Sequence, residues 1–432
     1  MKKMIFVTLA LWSLGMHAQK KWTLDECISY AMENNVPLKL QKLQQQSAQE
    51  DVAQSKAALL PTVSASTNQG VGYSPFDDSG ADKAYYNGSY GVSAQWTVWN
   101  GGQNTNTLKL NRLSLQQAAL STEESANNIE ERITQLYVQI LYMAEAIEVN
   151  RQSLETSRKN EERGRQMVEV GKMSKADLAQ LTAQRAASEY SVVEAQTQLD
   201  KYKQELKQVL ELTTEPNFDV AIPATTDEQA LAAIPALASV YEAALAHRPE
   251  IKNAQLGIES SDLQLRIAKA GALPTVTMQG GLSTSTNTMS ALAWGSQMKN
   301  NLGLSASVGV TVPIFDGRRT KTSVNKARLT QEQARLALAN EEDNLYTTLE
   351  GLWLDAVNNQ QKFRSAALSV ESEQESYDLL SEQFNLGLKN IVELMTGKDK
   401  LLTAQQNRLQ SKYMTILSQQ LLQFYQSGTI KI

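Results

Sequence analysis

Cysteine is nearly missing from this 432-residue chain: Cys27 stands alone, so no internal disulfide can staple it. It falls on the apolar side of a short helical pattern, where a buried structural thiol is expected. Histidine is almost as rare. His17 and His247 are the only two, too few for a histidine metal site or a histidine-based nucleophile relay. No glycine-rich loop has phosphate-cradling spacing. Carboxylates are plentiful, so a carboxylate-dependent hydrolase is unsupported but stays open. An apolar run of about eighteen residues, the length a membrane-crossing helix needs, is also lacking. The best stretch, Ala230 to Tyr241, is short and broken by Pro235. That absence says nothing against a β-barrel wall, whose strands are individually weak in hydropathy.

The N-terminus reads as a secretory signal over residues 1–18. Lys2 and Lys3 precede an apolar run from Met4 to Leu14, and Ala18 offers a small-residue exit. Removing it takes away two lysines and no acid, moving the formal net charge from −5 to −7. An acidic balance argues against nucleic acid as a partner.

What the chain does have is itself, twice. Leu60-Pro61-Thr62-Val63 recurs as Leu273-Pro274-Thr275-Val276, an offset of 213 residues. Val98-Trp99-Asn100-Gly101 matches Ile314-Phe315-Asp316-Gly317 at an offset of 216, and Gly171 matches Gly387 at the same offset. The spacing from Trp99 to Gly171 and from Phe315 to Gly387 is 72 residues in both copies. Equal intervals without insertion imply a structure whose length matters. The organisation expected is a first repeat over 19–212, a linker over 213–235, a second repeat over 236–428 and a tail over 429–432.

All nine prolines avoid 76–215 and 314–432, stretches rich in helix formers that can hold very long helices. Ile133, Ile140, Ile147 and Leu154 recur every seven residues, as do Leu349, Ala356, Phe363 and Val370. That spacing is a coiled-coil seam, interrupted at Asn150 and Asn359. Gly171 suits a left-handed helix end, and Ser174 to Asp177 has the form of a capping box; Gly387 with Asn390 to Glu393 repeats it. Each copy is therefore expected to hold a helix of roughly 65 residues, about 100 Å long, then a tight turn and a return helix of about 40. A helix near 38–59 supplies the rest of the partner's length. Short helices at 23–35 and 236–247 complete the set, the first capped by Thr23 and Glu26 with Trp22 stapled on Cys27.

Two strands precede each long helix. Leu304, Ala306, Val308, Val310, Val312 and Ile314 alternate with Ser305, Ser307, Gly309, Thr311 and Pro313; Tyr90, Val92, Ala94, Trp96 and Val98 alternate with Gly91, Ser93, Gln95 and Thr97. Weaker versions cover 62–72 and 275–285. One face is apolar, the other small and polar, and no helix is left over to cover the apolar one, which suits a lipid-facing wall. Tyr73 and Tyr90 toward one end, and Trp96, Trp99 and Phe315 toward the other, have the character of membrane-interface aromatics. Four strands cannot close a barrel; two chains would supply eight strands with a filled interior, three would supply twelve and a pore.

In this order and twice over, the LPTV segments, the WNGG and FDGR junctions and the paired tips VGKMSKADL and LGLKNIVEL resemble the TolC-like outer-membrane efflux proteins across residues 22–428. The resemblance implies an α+β membrane protein: a homotrimer whose 12-stranded β-barrel in outer-membrane lipid continues into a periplasmic 12-helix α-barrel. It implies a periplasmic adaptor and an inner-membrane efflux pump as partners, with a tripartite efflux or type I secretion role. The loops 73–89 and 286–300 would face outside. Adaptor contacts would fall at Val170, Gly171, Lys172, Leu386, Gly387 and Leu388. The periplasmic constriction would involve Glu393, Lys389 and Asp177, with Asp177 a partner for Lys389. Thr396 stands where a second acid is expected. Relatives often carry a lipidated N-terminal cysteine; this chain is expected to have no lipid anchor, no cofactor and no metal. A passive duct, a soluble periplasmic coiled-coil adaptor and a carboxylate-dependent hydrolase are the readings in play, the duct first. The cargo is not written in the sequence.

Overall fold

The computed structural model describes residues 21–73, 75–76, 84–214 and 218–428. Residues 1–18, expected to be a signal, the tail 429–432 and part of the expected outer loop 73–89 lie outside them. Each repeat runs through the same elements. The first has α1 (Leu24–Asn34), α2 (Val36–Ala57), β2 (Thr62–Tyr73), β3 (Ala84–Asn100), α3 (Gln103–Glu169) and α4 (Lys175–Val209). The second has α6 (Leu237–His247), α7 (Pro249–Ala270), β5 (Thr275–Asn287), β6 (Gly303–Thr311), α9 (Arg319–Asn385) and α10 (Ile391–Ser427). Both long helices count 67 residues and both preceding helices 22. Four small elements lie outside this pattern: β1 (Lys21–Trp22), β4 (Asp219–Val220), α5 (Asp227–Ala230) and α8 (Trp294–Asn300).

Two compact units are built from these elements, and each draws chain from both repeats. The first comprises 21–39, 125–246 and 345–428 among the described residues and is helical. Its core joins Ile133, Tyr137, Ile140 and Ile147 of α3 to Leu199 and Leu206 of α4, Tyr413 and Phe424 of α10, and Leu24 and Cys27 of α1. The seven-residue spacing read from α3 is thus the buried seam, each full leucine-sized burial contributing about 1.5–3 kcal/mol. Cys27 is fully buried, and Trp22 packs on the same cluster. Thr23 and Glu26 form both halves of the capping box. Asn150 interrupts the seam without being stranded: Gln406 donates to its Oδ1 at 3.2 Å.

Irregular backbone around 221–235 needs its carbonyls satisfied. Tyr137 donates to Ala221 O, Lys412 to Thr225 O, Gln360 and Gln419 to Ala232 O, and Trp353 to Pro235 O, at 2.5–3.1 Å. The linker is therefore tied to α3, α9 and α10 by side chains. β1 and β4 add a two-residue parallel pair, too short to leave a periodic signal.

The second unit comprises 40–124 and 247–344 and holds the sheet, in the antiparallel order β2-β3-β5-β6. Register puts Val63, Ala65, Val92, Ala94, Trp96, Met278, Leu282, Leu304, Ala306 and Val308 on one face. Ser64, Ser66, Ser93, Gly91, Gln279, Gly281, Ser305 and Ser307 share the other. The apolar face is open along most of its height; Leu304 is 85% exposed. Three details differ from the sequence reading. A bulge between Thr97 and Trp99 makes Trp99, not Val98, the partner of Val276. β6 ends at Thr311 instead of running on to Ile314, because Pro313 has no N–H to continue a ladder. And one short helix does cover part of the apolar face. α8 is held over β5 by Thr284 Oγ1 donating to Met298 O at 2.7 Å and by Gln297, whose amide serves Asn287 and Leu292. Its Trp294 stacks edge-on against Tyr90 at 6.2 Å. The valine and leucine rows beyond remain uncovered.

Candidate functional site at the hairpin tips

Both hairpins turn in the same way. After α3, Gly171 takes φ +71°, its N–H bonds Val168 O, and Lys172 N–H bonds Met167 O. After α9, Gly387 takes φ +76°, with Gly387 N–H on Phe384 O and Leu388 N–H on Gln383 O. This is the Schellman closure, which requires a left-handed residue. A Cβ at either glycine would meet nothing within 4 Å, so backbone strain alone disfavours larger residues. Gly387→Val should cost about 1–2 kcal/mol and speed amide exchange over 383–390; unchanged exchange would show that the turn tolerates a side chain.

Val170, Gly171, Lys172, Leu386, Gly387 and Leu388 are all exposed at these turns. Beneath them a separate apolar cluster of Leu181, Tyr377, Phe384, Ile391, Leu394 and Leu401 binds the two hairpins together. Arg163 Nη1 donates to Asn385 Oδ1 across the same boundary. The apolar turns are therefore presented on a packed base.

The acids behave differently from a reciprocal capping box. Ser174 Oγ accepts from Asp177 N–H at 3.1 Å, but the Asp177 carboxylate takes the Ser174 hydroxyl instead of the backbone N–H. Asn390 Oδ1 accepts from Glu393 N–H at 3.0 Å, and the Glu393 carboxylate reaches Lys389 Nζ at 2.5 Å. Lys389 is thus paired with Glu393 and not with Asp177, the partner the sequence offered; it lies just before the N-cap Asn390, and its long side chain reaches over the first turn of α10. The Lys389 ammonium holds the Glu393 carboxyl below its usual range. Thr396 donates to Val392 O inside its helix.

One feature of this end escaped the sequence. Lys398 is 4% exposed, and its ammonium meets only hydroxyls, Ser157 Oγ of α3 and Ser188 Oγ of α4. The two serines also bond each other at 2.9 Å. Burial pushes the lysine down to about 8.

In the sheet unit, Tyr73 closes β2, while Tyr90 lies further in, opposite Thr67 and Thr284. Trp96 donates Nε1 to Leu59 O at 2.9 Å, and Trp99 sits past the bulge. Phe315 lies beyond β6 and is 89% exposed. Both strand-to-helix junctions use left-handed residues: Gly101 and Gly102 in the first repeat, Gly317 and the non-glycine Arg318 in the second.

Comparison with known proteins gives a consistent picture. The family profile described as outer membrane efflux protein matches residues 27–211 and 240–425. The outer membrane efflux protein BepC of Brucella suis is 20% identical over 400 residues, covering 92% of this chain and 83% of that one. The Campylobacter jejuni CmeC outer membrane channel superposes with a TM-score of 0.79 at 16% identity, covering 94% and 86% of the two chains. The open state of the Neisseria gonorrhoeae MtrE outer membrane channel gives 0.78 at 15% identity, covering 93% and 88%. At these identities the structures establish the shared fold, and the profile, which spans both repeats from α1 to the end of α10, places the chain in the outer membrane efflux protein family.

Proposed function

We propose that the chain is one protomer of a homotrimeric exit duct in the outer membrane, conducting solutes passively from a periplasmic adaptor and an inner-membrane pump. The carrying observation is the four-stranded sheet: one face of exposed valine, leucine and tryptophan, one face of serine and glycine, and two edge strands, β2 and β6. In hydrocarbon an unpaired edge is not tolerated, and four strands are half of the smallest practical barrel. Joining β6 of one copy to β2 of the next satisfies both edges. Three copies give twelve strands and a lumen lined by small polar side chains. Tyr73, Tyr90, Trp96, Trp99 and Phe315 then serve as interface aromatics.

The helices are the periplasmic part, since no described helix is long and apolar enough to cross a membrane. The exposed turns at Val170, Gly171 and Lys172, and at Leu386, Gly387 and Leu388, are the adaptor contacts in this reading. Glu393, Lys389 and Asp177 surround the constriction, and membrane attachment is by the barrel. Family membership favours the duct over a soluble adaptor. The mature protein is expected in the outer-membrane fraction, soluble only in detergent, with the mass of a trimer and discrete conductance steps in a planar bilayer. A monomer that stays dissolved without detergent would overturn the proposal.

A further inference from the structure

The two strand-to-helix junctions are duplicates that differ in charge. At the offset of 216 residues, Gly101-Gly102-Gln103-Asn104-Thr105 corresponds to Gly317-Arg318-Arg319-Thr320-Lys321. The first set carries no charge and the second carries three cations. Gly102 sits at φ +80°, and Arg318 at φ +71°. A side chain in that region crowds its own carbonyl, which glycine avoids. The second junction thus holds an arginine where its twin, with the same turn, has none of this strain. Backbone strain kept at an exposed turn points toward use rather than stability.

The three cations also outnumber the acid beside them. Asp316, the nearest acid in sequence, accepts from Thr320 N–H at 2.8 Å; hydrogen bonding by Thr320 and the charge of Arg319 help hold its carboxyl below the usual range. None of Arg318, Arg319 and Lys321 forms an ion pair among the described residues. Arg318 and Lys321 line an open groove of about 590 Å³ together with Asp316 and the apolar Ala272, Pro313, Ile314 and Phe315; Arg319 lies between the two cations in sequence. Ile314 is 97% exposed and continues the line of β6 beyond its last paired residue. Apolar surface therefore passes into net positive charge where the sheet hands over to polar helix. A phospholipid has the complementary order, acyl chain and then phosphate.

We propose that this groove binds an anionic glycerophospholipid, with Arg318, Arg319 and Lys321 on the headgroup phosphate and Ile314 and Phe315 against the upper acyl chain. Three cations against the one carboxylate of Asp316 leave a net positive charge. A zwitterionic headgroup, with no net charge, would not balance it, so the preference is for net negative charge. The site rests on the sheet being a membrane wall. It also makes the two junctions of each protomer unequal: one holds lipid, the other does not.

The test uses the purified trimer in nanodiscs of phosphatidylethanolamine with a minor share of phosphatidylglycerol. After gentle re-extraction, the lipid that stays bound is quantified by mass spectrometry. Phosphatidylglycerol should be enriched about threefold or more over the bulk. The variant R318G/R319Q/K321T, which gives the three charged positions of the second junction the residues of the first, should fall to a ratio near one with conductance steps intact. R318G alone removes the strained residue, so it should fold, and it should lose part of the enrichment. Excess inorganic phosphate should leave the ratio unchanged; if it displaces the lipid, the groove serves free phosphate and the proposal is wrong. Equal enrichment in wild type and triple variant, or none in a wild-type trimer that still conducts, would also overturn it. A chain that fails to insert at all would instead sink the duct.

Discussion

Lys398→Met should raise the stability of the helical unit by about 1–3 kcal/mol at pH 7, with the advantage fading as the solution becomes alkaline. Lys398 is an ammonium withdrawn from water with no carboxylate on it; its partners are the hydroxyls of Ser157 and Ser188. A buried charge that meets only neutral groups is held at a cost. Its folded value of about 8 lies below the ordinary 10.5, so between those limits the native chain binds fewer protons than the unfolded one. Stability therefore rises with pH across that interval, and the lysine is most costly below pH 8. Methionine keeps the length without the charge, and the serines are left bonded to each other. Denaturant unfolding in detergent at pH 7 and near pH 10 checks this. If Lys398→Met is less stable at both pH values, the ammonium is an anchor and the reasoning fails.

Lys389→Ala should increase single-channel conductance about two- to fivefold, and Glu393→Ala should reduce cation preference as well. Each Lys389–Glu393 pair is a half-exposed bridge and counts for little alone. In the proposed trimer three such pairs would face one narrow space, so losing the base would leave three like charges there and favour dilation. The Glu393 carboxyl is held below its usual range by Lys389, so the pairing is complete above the ordinary glutamate value. It is lost only as pH falls through the lowered one. Wild-type conductance should accordingly stay flat through neutral pH and rise only in strong acid. Unchanged conductance in both variants would leave Glu393 as a first-turn acid bridged to Lys389 and nothing more.

Long-range order was the legible part of this molecule. The 72-residue interval became two helices of identical length, because proline-free stretches bounded by left-handed glycines leave few other outcomes. The two faces of the sheet also followed from alternation. Features that hinge on one or two residues did not. Val98 and Trp99 are both apolar, so a bulge that exchanges their roles leaves the pattern unchanged. α8 sits in a stretch rich in serine, threonine and asparagine, and the Gln297 amide that fixes it bonds to residues placed only by the fold. Lys398 lies seven residues after Ile391, and Ser188 seven after Leu181, so both occupy the seam. A search for apolar recurrence steps over them. Asp177 and Glu393 stood at capping positions, yet the carboxylates chose Ser174 and Lys389, a choice made by side-chain reach.

The matched 67-residue helices also restrict how a chain of this kind could grow. Adding three residues to one of them would swing everything beyond by about 300° and push one tip roughly 4.5 Å past its twin. Seven residues return the seam to within about 20° and extend it by roughly 10 Å. Any change of reach must then arrive in whole heptads, entered in α3, α4, α9 and α10 together. Tubes of this design should come in discrete sizes spaced about a nanometre apart.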